Sequence, residues 1–140
     1  MIDNDIKTIA VSFIWSVLNP SHEIRAAQII KEMMPDAIIT VGSELYPQIR
    51  EYTRTSTAIT NAYLSPILRN YVTAINEYFM SLGGVNNVRY FQSNGGLATG
   101  KVMSDRSVYA INSGPASAPQ AGLAVCKPFE IGRASCRERV

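Results

Sequence analysis

Ile9-Ala10-Val11-Ser12-Phe13-Ile14-Trp15, then Asn19-Pro20, then Ala37-Ile38-Ile39-Thr40-Val41: this succession decides the architecture. The first run is almost continuously apolar, which suits a central parallel strand covered on both faces better than the alternating pattern of a half-exposed one. Asn19-Pro20 supplies a cap and a first helical residue, and Ala26, Ala27, Ile30, Met33 and Met34 recur at helical spacing until Pro35 stops the helix. A second strand follows at Ala37 to Val41. Strand, helix and strand within about thirty residues make a βαβ unit, whose crossover is right-handed.

Downstream, Gly42-Ser43-Glu44 leaves the second strand, and the polar stretch through Tyr52-Thr53-Arg54 carries too many charges for a core. Open α/β sheets bind ligands at the carboxyl ends of their strands, so this position matters. From Ser56 as N-cap, Ile59, Ala62, Tyr63, Ile67, Tyr71, Ile75 and Phe79 trace a helical stripe that ends at Leu82, before Gly83-Gly84. Pro66 is expected to kink or split this helix, with Ser65 capping the second half. Tyr63, Tyr71 and Tyr78, at intervals of seven or eight residues, read as packing rather than a stacking platform. Val88 to Gln92 reads as a strand, Thr99 to Asp105 as a short polar helix or turn, and Val108 to Ile111 as another strand. A helix from Pro115 toward Lys127 follows, shortened by Pro119. The alternation of about four strands with four or five helices is that of an α/β protein.

Gln92-Ser93-Asn94-Gly95-Gly96 and Asn112-Ser113-Gly114-Pro115-Ala116 each close a short apolar run. A Gly pair tolerates positive φ and close backbone approach, and a Gly-Pro step opens a helix whose N-terminus favours a negative group. Both phrases are therefore candidates for an anion pocket, with Ser93, Asn94, Gly95, Gly96, Ser113 and Gly114 as contact residues. The plainer alternative is a pair of ordinary turns.

Residues 130–140, Glu-Ile-Gly-Arg-Ala-Ser-Cys-Arg-Glu-Arg-Val, show neither helical nor strand period. Read back into codons they resemble a sequencing adapter, and they are set aside as non-native. Their removal takes three basic and two acidic residues from totals of 13 and 11, leaving one net positive charge, so no nucleic-acid partner is implied. It also leaves Cys126 as a single cysteine, which excludes an internal disulfide and fits a reducing cytoplasm. No apolar run is long enough for a membrane span, so a soluble protein is expected.

Val11-Ser12-Phe13, Asn19-Pro20-Ser21-His22-Glu23, the long block from Ser43-Glu44-Leu45-Tyr46-Pro47 through Arg54-Thr55-Ser56-Thr57, and Asn61-Ala62-Tyr63 together resemble the hydantoinase A and 5-oxoprolinase family. The two glycine phrases extend the resemblance, which spans roughly residues 9 to 125. It implies an internal fragment of an actin-like, sugar-kinase-like (RNase H-like) ATPase fold. Residues 1–54 would be the C-terminal end of the family's N-terminal region, and residues 55–129 the beginning of its ATPase domain. The implied activity is ATP-dependent opening of a five-membered cyclic amide such as hydantoin, N-methylhydantoin or 5-oxoproline. Its expected cofactors are ATP and a divalent metal, Mg, and its expected partner is a B subunit in a hetero-oligomer. The family also implies the alternative of a biotin-independent acetone or acetophenone carboxylase subunit. A non-catalytic metabolite-binding module is the reading from outside the enzymes.

The resembled pattern has a Gly-Gly-Thr phosphate loop before this segment and an Asp-Met-Gly-Gly-Thr type loop after Lys127, and neither stands in this sequence. The fragment alone is therefore expected to be inactive. Where the pattern has His, this chain has Trp15, so no metal site is expected there. Glu44, Arg50 and Arg54 are the catalytic candidates, with Glu51 beside them. They could bind substrate, organise a metal, or pair with one another on a short solvated helix. His22 reads as structural, beside Glu23 at a helix start, because no second ligand stands at metal spacing.

Overall fold

The structure, a computed structural model, describes residues 6–84 and 88–127. The adapter-like residues 130–140 lie outside them. Strand β1 (Thr8–Val11), helix α1 (Ser21–Met33) and strand β2 (Ile38–Val41) make the expected βαβ unit. The strands pair in parallel, with Thr8 opposite Ile38 and Val11 opposite Val41. Asn19 Oδ1 accepts the Ser21 N–H at 3.1 Å, and Met34 N–H closes the helix on Ile30 O before Pro35 can interrupt it.

The first strand is shorter than its apolar run. Pairing stops at Val11, and Trp15 turns the chain with φ 61°, its carbonyl accepting the amides of Leu18 and Asn19. Ile14 and Trp15 are 75% and 59% exposed, which corrects the expectation of a strand covered on both faces. The cause lies at Phe13, whose N–H and C=O are taken by side chains instead of a neighbouring strand.

Helix α2 (Gly42–Leu45) follows β2 directly, and helix α3 (Glu51–Ser81) starts five residues before Ser56. Pro66 sits inside α3 without splitting it. Ser65 does not cap a second half; its hydroxyl bonds back to Asn61 O at 2.7 Å. Of the stripe read as the core face, Ala62 is buried and Ile75 half-buried, but most of it points the other way. Arg54, Ala58, Asn61, Ala62, Ser65 and Val72 are buried, whereas Ile59, Tyr63, Ile67, Tyr71 and Phe79 are exposed. Small and polar side chains win the inner face because the neighbours come too close for large ones.

Strand β3 (Arg89–Phe91) pairs antiparallel with strand β4 (Leu97–Thr99), so this second sheet is a hairpin and not a continuation of the parallel pair. Helix α4 (Gly100–Asp105) follows, capped by the Thr99 hydroxyl, which accepts the Val102 N–H. The strand expected at Val108 to Ile111 is instead a 3-10 turn over Ser107–Ala110, because Asn61 Oδ1 takes the Val108 N–H at 3.0 Å. Helix α5 (Ser113–Cys126) runs through Pro119 without being shortened. Among the described residues no helix is long and apolar enough to cross a membrane.

Apolar packing is modest: Val72, Ala98 and Met103 form one cluster, with Leu68, Tyr90 and Ala110 against it. The largest fully buried side chains are polar, namely Arg54, Glu23, Asn61, Ser65 and Ser107. Hydrogen bonds therefore carry much of the specificity of this fold. The approach of α4 to α3 is fixed at Gly100, where an added Cβ would stand 2.6 Å from Val72 Cγ1. Gly100→Ala is expected to destabilise by about 1–3 kcal/mol through overpacking. Val72→Ala should recover part of that loss in the double variant, as measured by denaturant unfolding.

Candidate functional site

Three places can hold chemistry, and the first is the carboxyl end of the parallel pair. Phe13 follows β1 and Ser43 follows β2, so their amides point out of the strand ends toward α1. Glu23 accepts both, from Phe13 N–H at 2.6 Å and Ser43 N–H at 2.9 Å. On the other side Arg54 Nη2 donates to Phe13 O and Nη1 to Gln48 O, each at 2.7 Å. Ser12 and Thr55 share a hydroxyl hydrogen bond of 2.8 Å, and Gly42 lets β2 close on Ser12. Glu23 and Arg54 are both 0% exposed.

Burial raises the pKa of Glu23, but the hydroxyls of Ser43 and Ser16 and the amides of Phe13 and Ser43 outweigh it and hold the carboxyl below its ordinary value. The carboxylate of Glu23 and both terminal nitrogens of Arg54 are bonded to backbone and sealed, while Arg54 Nε and Ser43 Oγ are buried without a hydrogen-bond partner, an arrangement that suits positioning better than turnover. Arg54 thus departs from the expectation of a solvated, ion-pairing residue, and its partners are backbone carbonyls. Glu44 and Arg50 are exposed, and Glu51 is half-buried at the first turn of α3. Arg106 Nη2 donates to the Glu44 backbone carbonyl at 3.4 Å. His22 is exposed on the first turn of α1.

The second place is a cavity of about 300 Å3 along the outer edge of β2, lined by Ile39, Thr40, Glu44, Ser65, Arg69, Asp105 and Arg106 among others. Its floor is polar. Asn61 Nδ2 donates to Thr40 Oγ1 at 3.1 Å and to Asp105 O at 3.2 Å. At the rim Arg69 pairs with Asp105 at 3.3 Å. Sequence reading did not select Arg69, Asp105 or Arg106, since 36 residues separate the ion-pair partners and no motif links them.

The third place is the first glycine phrase, beside the helix that the second phrase opens. Gln92 to Gly96 is the hairpin turn: Gly95 N–H donates to Gln92 O, Gln92 N–H to Gly96 O, and Gly95 has φ 81°. That is a tight turn with glycine in the left-handed position. Asn94 Oδ1 accepts the Gly96 N–H at 2.8 Å, and Ser93 N–H donates to Tyr109 O at 2.7 Å. The turn lies beside α5, with Gln120 the nearest side chain to Gly95. Ser113 and Gly114 open α5 after a 3-10 turn, and their amides precede the first intrahelical bonds. Ser93, Gly95 and Gly96 already donate internally, so the turn can offer a ligand the Asn94 N–H and the Ser93 hydroxyl but no ring of open amides. Among the described residues no group of three or more His, Cys, Asp or Glu side chains could hold a metal.

The sequence profile of the hydantoinase/oxoprolinase family matches residues 54–128. The chain is 56% identical over 129 residues to caprolactamase subunit alpha of Pseudomonas jessenii, covering 92% of this chain and 18% of that one. The crystal structure of the ATP-dependent caprolactamase from Pseudomonas jessenii superposes with a TM-score of 0.85 at 55% identity, over 93% of this chain and 19% of that one. 5-oxoprolinase 1 of Arabidopsis thaliana is 34% identical over 117 residues, covering 83% of this chain and 9% of that one. A nucleotide-free acetone carboxylase structure has a TM-score of 0.74 at 22% identity, over 91% of this chain and 18% of that one, a likeness of fold alone. The chain thus spans less than a fifth of the length of the relatives it matches.

The buried carboxylate carries a measurable signature. The folded pKa of Glu23 lies below its ordinary value, so its stabilisation is complete above that value and disappears as pH falls through the folded one. Unfolding free energy measured against pH should therefore decline on acidification, and Glu23→Gln should flatten that decline. Glu23→Ala leaves two buried amides unpaired and is expected to cost roughly 3 kcal/mol at neutral pH.

Proposed function

The chain belongs to the hydantoinase/oxoprolinase family, and we propose that it is an internal part of an enzyme subunit that uses ATP to open a cyclic amide. The observation that carries this reading is the joint sequence and structural likeness to an ATP-dependent caprolactamase subunit. The substrate class includes lactam rings as well as the five-membered hydantoin and 5-oxoproline type. The chain is then a slice of an actin-like ATPase fold, with residues 1–54 closing one region and residues 55–129 opening the next.

A ring amide is a poor electrophile, and ATP, when bound, supplies the phosphoryl group that activates its oxygen. Such chemistry rests on positioning and charge neutralisation more than on a protein nucleophile. Two sets of donors among the described residues support an anion-binding role: Asn94 N–H with the Ser93 hydroxyl at the hairpin turn, where Gly95 and Gly96 leave room for close approach, and the first amides of α5 at Ser113 and Gly114. Mg would be held by residues beyond this set. Glu23 and Arg54 hold the ends of β1 and β2 in place through their backbone hydrogen bonds, and Glu44 and Arg50 stand exposed. A cytoplasmic location and a second, B-type subunit complete the proposal.

Ketone carboxylation is the second reading, supported by the sequence likeness to an acetophenone carboxylase gamma subunit. The test is phosphate release from ATP by the full-length polypeptide with its partner subunit, in the presence of caprolactam, hydantoin, 5-oxoproline, or acetone with bicarbonate. Stimulation by a cyclic amide with ring opening is expected. Stimulation by ketone and bicarbonate alone transfers the assignment to carboxylation, and no stimulation with intact nucleotide binding leaves a binding module. Residues 1–129 by themselves are expected to show no metal-dependent ATPase activity.

A further inference from the structure

The cavity along β2 has features that no step above uses. Ile38 N–H donates to Lys7 O across the parallel ladder at 2.9 Å. Strand geometry then turns the N–H and C=O of Ile39 the opposite way, toward the unpaired edge. β2 pairs only with β1 among the described residues, and Ile39 on this edge is among the residues that line the cavity. Thr40 is 5% exposed, and its Oγ1 already accepts from Asn61, which leaves its hydroxyl proton to donate.

Around this edge stand two cations and two anions, Arg69 and Arg106 with Asp105 and Glu44. They are held close: Arg69 pairs with Asp105, and Arg106 reaches the Glu44 backbone. Opposite charges at one mouth, with a neutral donor and acceptor along one wall, match a ligand that carries both charges. A purely anionic ligand would meet Asp105 and Glu44, and a purely cationic one would meet the arginines. The volume, at the lower end of the roughly 300–1,000 Å3 typical of small-molecule sites, fits a short chain.

We propose that the cavity at the open edge of β2 binds a short zwitterionic amino carboxylate, its carboxylate toward Arg69 and Arg106 and its ammonium toward Glu44 and Asp105. Hydrolysis of a cyclic amide releases one carboxylate and one amine on a single chain, so the site would hold the product. That assignment as product rests on the proposed function, whereas the binding itself rests on the cavity. The cavity also spans the segment before the matched family region and the segment within it, since residues 38–45 and 65–106 both contribute. Occupancy would bind the two segments together.

The probe is 6-aminohexanoate, with hexanoate and hexylamine as single-charge controls. Binding to the protein is followed by backbone amide shifts or calorimetry in the absence of ATP. The amino acid is expected to bind at least about fivefold more tightly than either control, with shifts at Ile39, Thr40 and Asp105. Arg106→Ala and Glu44→Gln should each weaken it by about fivefold, at exposed positions that leave the unfolding midpoint unchanged. Equal binding of hexanoate, insensitivity to both substitutions, or shifts confined to the 92–96 turn would overturn the assignment. Amino acid binding without any cyclic-amide turnover would keep the site and remove the product reading, while turnover without binding would overturn the site and leave the proposed function standing.

Discussion

The Phe13 backbone, gripped on both sides, is the constraint on which the first half of the structure depends. Its N–H faces the Glu23 carboxylate and its C=O faces the Arg54 guanidinium, so opposite charges lie across one residue in the direction its dipoles favour. One residue thereby fastens the end of β1 to α1 and to α3. Because Glu23 also takes the Ser43 amide, the end of β2 is fixed by the same carboxylate. Burying two charges is costly unless their hydrogen bonds are supplied, and here four backbone groups supply all but that of Arg54 Nε.

Asn61 plays the corresponding part in the second half. Its amide reaches Thr40 on β2, Asp105 O at the end of α4 and the Val108 N–H in the 3-10 turn. One side chain in the middle of α3 so ties the parallel pair to the segment that follows the hairpin. The cavity at the β2 edge exists because this link sets the distance between the two. Its charged mouth and polar floor are products of the same arrangement, which connects the packing of α3 to the ligand class the cavity can take.

Helix α3 carries most of its large apolar side chains on its outer face. Tyr52, Ile59, Tyr63, Ile67, Tyr71 and Tyr78 are exposed on the side away from the buried Arg54, Ala58, Asn61 and Ser65. A helix buried on one side and apolar on the other is suited to being covered on both. This agrees with a chain that spans a small part of its relatives. It also explains why the inner face holds small and polar residues: that face meets two thin strands and α4 at close range, with Gly100 at the nearest point.

By itself the sequence determined the βαβ unit, the family, the two glycine turns and the existence of the helices, because apolar period, Pro and Gly are local signals. The family block carried Glu44, Arg50 and Arg54 into view as charges, without saying which of them is buried. Only the tertiary structure decided that Arg54 and Glu23 are enclosed and bonded to backbone while Glu44 and Arg50 stay in solvent. It likewise turned the expected strand at Val108 into a 3-10 turn and reversed the inner face of α3. Hydrophobic periodicity reports that a helix has faces, but not which neighbour will press on each. The pairings of Glu23 with Phe13 and Ser43, of Arg69 with Asp105 and of Asn61 with Val108 arise from chain segments far apart in sequence, and only folding brings their donors and acceptors within bonding distance.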